Sequence, residues 1–145
     1  KGTRQDYQAA RKWFMRAAEK EDAGAQYNLG NIYQKGQGIQ QDCKKAFFWY
    51  KKAAAKFYAP AQYALGKLYS SGCGVNQNSY KSTEWILKAA YNGMPEAQFQ
   101  IGYRYLTGYG IQVDKNKAYE WLLKAAKQDN PAAIKVLKTN FSTEI

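Results

Sequence analysis

The sequence predicts an all-α fold, an α/α right-handed superhelix in which helix–turn–helix units stack as a solenoid. The four tryptophans stand at positions 13, 49, 85 and 121, so that each is 36 residues from the next. A double alanine follows every tryptophan, and a Gly-x-Gly turn recurs with the same step. Because a single helical hairpin cannot bury its apolar face alone, such units are expected to stack on one another.

The first helix of each unit, here called helix A, is predicted from an apolar stripe. In one unit this stripe is Ala25, Leu29 and Tyr33, which fall on one face at helical spacing. The A helices are expected to end at the Gly-x-Gly-Ile/Val sequences 36–39, 72–75 and 108–111, where glycine permits left-handed backbone. Prolines mark the expected starts of the later A helices: Pro60, Pro95 and Pro131.

The second helix, helix B, carries the tryptophan and the double alanine. Its apolar stripe in the second unit runs through Ala46, Trp49 and Ala53. Short polar residues are expected to cap the B helices by accepting bonds from first-turn amides: Asp6, Asp42, Asn78 and Asp114. Glycine inside a helix is unfavourable, so one column is expected to mark close approach of helices A and B: Gly30, Gly66 and Gly102.

The repeat boundaries predict a single solenoid domain over residues 1–145. A partial first repeat at 1–23 contains helix B only, and full repeats follow at 24–59, 60–95 and 96–130. Residues 131–145 are predicted to form a C-terminal capping helix. Because Gly2 and Thr3 align with Gly38 and Ile39, the chain opens within an A–B turn. The pattern therefore predicts a fragment of a longer array.

The repeated motif resembles the Sel1-like repeat family, relatives of the tetratricopeptide repeat. It reads Ala-Gln-Tyr-x-Leu-Gly-x-x-Tyr-x-x-Gly-x-Gly-Ile/Val, then Lys-Ala and Trp-x-x-Lys-Ala-Ala, at 25–39 with 46–54, at 61–75, and at 97–111 with 118–126. Ser82 departs from the motif where alanine is expected. The resemblance implies a bacterial adaptor or scaffold for protein–protein interaction, and it favours a periplasmic, secreted or host-directed location over the cytoplasm.

The predicted partner-binding site is a concave groove lined by the A helices, by analogy with tetratricopeptide repeats. Its residues differ between units although the rest of the scaffold repeats: Tyr27, Asn31, Gln34, Tyr63, Lys67, Ser70, Phe99, Tyr103 and Leu106. Aromatic residues suit such an interface because they offer much contact area for little ordering entropy. In the alternative interpretation Tyr27, Tyr63 and Phe99 only pack between neighbouring A helices.

No catalytic, metal or cofactor site is predicted. The chain has no histidine, which removes the commonest general base and metal ligand. Glu84 and Glu120 each precede a lysine by four residues, the spacing of surface ion pairs with Lys88 and Lys124. The Gly-x-Gly turns lack the Lys-Ser/Thr of a phosphate-binding loop. We therefore expect a protein that is not an enzyme.

The net charge of +11 favours a second class of partner, nucleic acid or anionic envelope polymers. However, a column of cations is expected at the C-terminal ends of the B helices, where it opposes the helix dipole: Arg16, Lys52, Lys88 and Lys124. Exposed aromatics are expected on the A helices and most lysines on the B helices, which disfavours nucleic acid. A protein or peptide partner is therefore preferred, and a structural spacer is the third alternative. No apolar run is long enough to span a membrane.

The only two cysteines, Cys43 and Cys73, are too few for a disulfide framework or a four-ligand zinc site. Cys43 opens a B helix and Cys73 lies in the next unit's turn, so stacked units could bring them together. A bridge requires Cα atoms within about 7 Å. Because the two positions are not equivalent in the repeat, we expect two free thiols, with a Cys43–Cys73 disulfide as the alternative.

Overall fold

A computed structural model gives the structure of residues 2–142, and its regular elements in that range are all α-helices. In chain order they are α1 (Arg4–Glu19), α2 (Ala23–Lys35), α3 (Cys43–Ala54), α4 (Ala59–Ser71), α5 (Ser79–Tyr91), α6 (Pro95–Thr107), α7 (Lys115–Ala126) and α8 (Pro131–Asn140). The B helices are α1, α3, α5 and α7, and the A helices are α2, α4, α6 and α8. Residues 143–145 of the predicted capping helix lie outside the described part of the chain.

Each helix packs against its neighbours in the chain, most extensively within the pairs α2–α3, α4–α5 and α6–α7. The same columns are buried in every pair. Leu29, Leu65 and Ile101 of the A helices are completely buried. Close approach at the glycine column is confirmed, since a Cβ added to Gly66 would lie 2.5 Å from Ile86 Cγ1 and 3.0 Å from the Ser82 carbonyl oxygen. The helices therefore pack as stacked hairpins around a continuous core.

Helix capping follows the predicted pattern in three of four units. The side chains of Asp42, Asn78 and Asp114 each accept a hydrogen bond of 3.0 Å from the amide three residues on. The prediction for Asp6 is wrong, because α1 begins earlier and has Thr3 as its N-cap. The Thr3 amide donates to the Asp6 carboxylate at 3.0 Å, and this bond lowers the pKa of Asp6.

The tryptophan column repeats in sequence but not in burial. Trp121 is 7% exposed, whereas Trp13 is 77% exposed. The reason is that each later tryptophan packs against the unit before it: Trp49 contacts the cluster that contains Ala18 and Leu29. Within the described residues no unit precedes α1, so Trp13 has nothing to pack against.

Cys43 and Cys73 are joined by a disulfide, with their Cα atoms 5.3 Å apart. The expectation of two free thiols is therefore wrong, and the alternative, a Cys43–Cys73 disulfide, is correct. The cause is a close contact between two units: Gly74, at a φ of +76°, lies so close to the backbone of Cys43 and Lys44 that a Cβ would not fit. This contact brings the turn after α4 onto the start of α3.

Candidate partner-binding site

The predicted groove residues lie on α2, α4 and α6, and we call this set of residues the A-helix face. Lys67 and Tyr103 are exposed, and the other seven predicted residues are half-buried. The Lys67 ammonium lies 4.9 Å from the centre of the Tyr63 ring. Phe99 and Tyr103 pack with their ring centres 6.0 Å apart. The α4 and α6 parts of this face therefore present adjacent basic and aromatic groups.

In the first full unit the predicted residues also support the core. The Tyr50 hydroxyl lies within hydrogen-bonding distance of Asn31 Oδ1 (2.6 Å) and Gln34 Oε1 (2.8 Å). Burial raises the pKa of Tyr50 above its ordinary value. Tyr27 packs between the rings of Tyr50 and Tyr58, with centres 5.7 and 5.6 Å away. Because Tyr58 is the N-cap residue of α4, Tyr27 packs between the neighbouring A helices α2 and α4.

A buried polar cluster around Arg104 was missed in the sequence. Arg104 is 5% exposed and donates to Thr83 Oγ1 (2.8 Å), Ser70 Oγ (2.9 Å) and Ser82 Oγ (3.0 Å). Ser82 in turn donates to the Gly66 carbonyl oxygen at 2.7 Å. Ser70, predicted as a binding residue, therefore bonds inside the protein.

The Arg104 guanidinium has no carboxylate partner among residues 2–142. Burial lowers its pKa, and the ring of Tyr109, 4.9 Å from the guanidinium carbon, lies beside it. The sequence does carry a signal for this cluster: two of its residues depart from the repeat pattern. Arg104 stands in the column of Ile32 and Leu68, and its partner Ser82 stands in an alanine column.

The distribution of aromatics differs from the prediction that they are exposed on the A helices. Of the exposed aromatic side chains in the described chain, Tyr103 alone lies on an A helix, and the others lie on B helices or in turns: Trp13, Phe48, Phe57, Tyr80, Tyr91 and Tyr109. The prediction was wrong because the A-helix aromatics are half-buried between units. The outward sides of the B helices, in contrast, meet solvent.

Lysines of the B helices pack on tryptophan rings of the same helices. The Lys88 ammonium lies 4.3 Å from the ring centre of Trp85, and that of Lys124 lies 4.5 Å from Trp121. The predicted pairs with Glu84 and Glu120 are absent from the described residues, whose one ion pair is Lys56–Glu21. A lysine three residues after a tryptophan reaches its ring across one helical turn, which explains the geometry.

The turns between B and A helices are linked from unit to unit, and we call this border the B–A edge. Lys56, Asn92 and Gln128 each donate to a backbone carbonyl 35 residues earlier. The accepting residues all have left-handed backbone, with φ values of 67°, 62° and 88°: Glu21, Phe57 and Gly93. A side-chain hydrogen bond to a backbone carbonyl thus reinforces the stacking of repeats at each of these three junctions.

Comparison with known families decides the identity of these repeats. The sequence profile of the Sel1 repeat matches residues 1–22, 23–56, 59–94 and 95–130. The chain belongs to the Sel1 repeat family. Both the resemblance and the α/α solenoid fold predicted from the sequence are confirmed.

Solved structures of bacterial Sel1 repeat proteins share the fold. A Sel1 repeat protein from Oxalobacter formigenes superposes with a TM-score of 0.80 at 36% identity, covering 87% of this chain and 95% of that one. A protective antigen of uropathogenic Escherichia coli strains gives 0.88 at 39% identity, but this chain spans only 29% of its length. Cysteine-rich protein B of Helicobacter pylori gives 0.75 at 20% identity, over 94% of this chain and 98% of that one, and supports the fold alone.

None of the curated proteins compared with the chain matches it significantly. Sel1 repeats generally mediate protein–protein interaction, which agrees with the class of partner predicted from the sequence. The longest described helix, α1, has 16 residues, and none of the described helices has the length and apolarity needed to cross a bilayer.

Proposed function

We propose that this Sel1 repeat chain is a non-enzymatic adaptor or scaffold module that binds a peptide or protein partner through the A-helix face. The observation that carries this proposal is variation on a uniform scaffold. Gly30, Gly66 and Gly102 are identical, yet the residues that follow them are Asn31, Lys67 and Tyr103. Lys67 and Tyr103 are exposed, so core packing does not require their identities.

The chemistry of the face suits a partner segment with both acidic and apolar groups. Lys67 offers a cation beside the Tyr63 ring, and Tyr103 with Phe99 offers aromatic surface one unit further on. The hydrogen bond from buried Arg104 to Ser70 links α6 to α4 and so fixes the position of one helix relative to the other. A surface held in this way loses little conformational entropy on binding.

A matched pair of double variants tests the proposal. Lys67→Ala with Tyr103→Ala removes the exposed groups of the A-helix face. Lys44→Ala with Tyr80→Ala removes the same two residue types from exposed positions of B helices. We expect the first pair to abolish capture of a protein partner from lysate of the source organism and the second pair to preserve it, with unchanged helicity in both. The opposite result would place the site on the B helices.

Anionic polymers remain a second candidate because lysines and tryptophans share the B helices. The geometry argues against base stacking, since the Lys88 and Lys124 ammoniums cover tryptophan rings and Trp121 is buried. We expect any binding to generic DNA or RNA at low salt to vanish at physiological ionic strength. Persistent sub-micromolar binding there, measured by fluorescence anisotropy, would favour this candidate over a protein partner.

The disulfide supports an oxidising location for this module, such as the bacterial periplasm or the cell exterior. The proposal predicts that Cys43 and Cys73 resist a thiol-alkylating reagent until the protein is reduced. Ready alkylation of both residues in protein taken directly from its source would contradict this location.

A further inference from the structure

Phe57 lies on the B–A edge, and neither its backbone conformation nor core packing explains why a phenylalanine is found there. The left-handed position of the four turns at this edge is occupied by Glu21, Phe57, Gly93 and Asp129. Phe57 has a φ of 62° and is 79% exposed. A bulky side chain in left-handed backbone is strained, and strain of this kind accumulates where a side chain serves a function.

Phe57 forms one wall of an apolar pocket of about 390 Å³ between the second and third units. Trp85 and Tyr91 of α5 complete the walls, and Lys88 stands at the rim. This volume is within the range of pockets that accept a ligand group. Tyr91 is 71% exposed, so the aromatic surface of the pocket is open to solvent.

Three contacts hold the pocket in shape. The Asn92 side chain donates to the Phe57 carbonyl oxygen at 3.3 Å and to Gln62 Oε1 at 2.9 Å. The Tyr91 ring packs edge-on against Trp121, with ring centres 5.0 Å apart. The pocket is therefore formed before any partner arrives.

The equivalent junctions show that the repeat itself does not need this pocket. At the preceding junction the positions of Phe57 and Tyr91 carry Glu21 and Ala55, and Lys56 forms an ion pair with Glu21 there. At the following junction the same positions carry a glycine and a lysine. Among these three junctions of the described chain, only this one has aromatic residues at both positions.

The charge of the surroundings indicates the occupant. Lys88 lies at the pocket rim over Trp85, and Lys124 lies over Trp121 beside Tyr91. A second copy of a chain with net charge +11 would be repelled by this rim, whereas carboxylates would be attracted. We propose that the pocket between Phe57, Trp85 and Tyr91 binds an aromatic or large aliphatic side chain carried on an acidic segment of a protein partner, at a surface distinct from the A-helix face.

The test uses fluorescein-labelled peptides and the whole chain with its disulfide intact. The probe is Glu-Asp-Phe-Leu-Asp-Glu, and its companion has serine in place of phenylalanine and leucine. Phe57→Gly introduces the residue of the next repeat and relieves the backbone strain, so its melting temperature should be equal to or above that of the parent. Tyr91→Ala has a matched control in Tyr80→Ala, since both tyrosines lie on α5 and both are 71% exposed.

We expect anisotropy titrations at physiological salt to show binding of the probe and at least tenfold weaker binding of the serine peptide. Phe57→Gly and Tyr91→Ala should each weaken probe binding at least tenfold, the loss expected for an aromatic hot spot. Tyr80→Ala should leave it unchanged. Loss of probe binding in the Lys67→Ala/Tyr103→Ala variant, together with full binding by Phe57→Gly, would place the probe on the A-helix face instead, so the two sites are distinguished.

Three results would overturn the proposal. The first is failure of the predicted contact with Phe57. It would be seen either as no binding of the probe by the parent chain at millimolar concentration or as binding that survives Phe57→Gly. The second is equal affinity for the serine peptide, which would indicate attraction of anionic polymer alone. The third is a concentration-dependent dimer in sedimentation that Phe57→Gly abolishes, which would make a second copy of the chain the occupant.

Discussion

Replacing Ser82 with alanine tests whether the buried cluster around Arg104 acts as a unit. Alanine is the residue of the neighbouring repeats at this position, as at Ala46 and Ala118. The repeat pattern alone would therefore predict a neutral or stabilising change. The structure predicts the opposite, because Ser82 Oγ accepts a bond from Arg104 and donates one to the Gly66 carbonyl oxygen.

The magnitude follows from what each bond contributes. A hydrogen bond to a charged group is worth about 1.5–3 kcal/mol and a neutral one about 1 kcal/mol. Ser82→Ala should thus lower the free energy of unfolding by about 2.5–4 kcal/mol. Arg104→Leu restores the residue type of Leu68 and removes a buried cation that has no carboxylate partner, so it should change stability by no more than about 1–2 kcal/mol. In the Leu background Ser82→Ala should cost only about 1 kcal/mol.

The assay is a double-mutant cycle measured by urea denaturation, followed by circular dichroism with the disulfide intact. We expect a coupling free energy of about 1.5–3 kcal/mol between the two positions, the contribution of the charged hydrogen bond, with unchanged m-values. If Ser82→Ala costs the same in both backgrounds, to within about 0.5 kcal/mol, the Arg104 cluster is not an energetic unit and the reasoning fails.

Four further variants test the fold. Trp121→Ala should destabilise by about 3–5 kcal/mol and Trp13→Ala by less than about 1 kcal/mol, because only the first side chain is buried; equal thermal shifts would contradict this. Replacing Cys43 and Cys73 together with serine opens a link across 30 residues and should cost about 3 kcal/mol in urea denaturation, whereas no change would mean that the bridge contributes nothing. Gly66→Ala should cost about 1–3 kcal/mol, since its Cβ would press on Ile86 and on the Ser82 backbone, and a higher melting temperature would refute the close approach.

The A-helix face was only partly predictable from the sequence. The spacing of Tyr63, Lys67 and Ser70 places them on one side of α4, because helical periodicity is a local property. Whether such a side chain points to solvent depends on what lies beside it. Lys67 is exposed, whereas Ser70 bonds to Arg104, which is 34 residues away in the chain.

The sequence by itself determined the helices, the turns between them and the repeat, because these depend on short-range spacing and on residues such as Gly72 and Asp42 that act on their own backbone. Only the tertiary structure decided which repeated residues are equivalent in burial. Trp13 and Trp121 share a column but differ in exposure, because burial depends on whether another unit packs against the side chain. For the same reason the Cys43–Cys73 bridge depended on the stacking of units, since it joins non-equivalent positions that meet only when the turn after α4 contacts the start of α3.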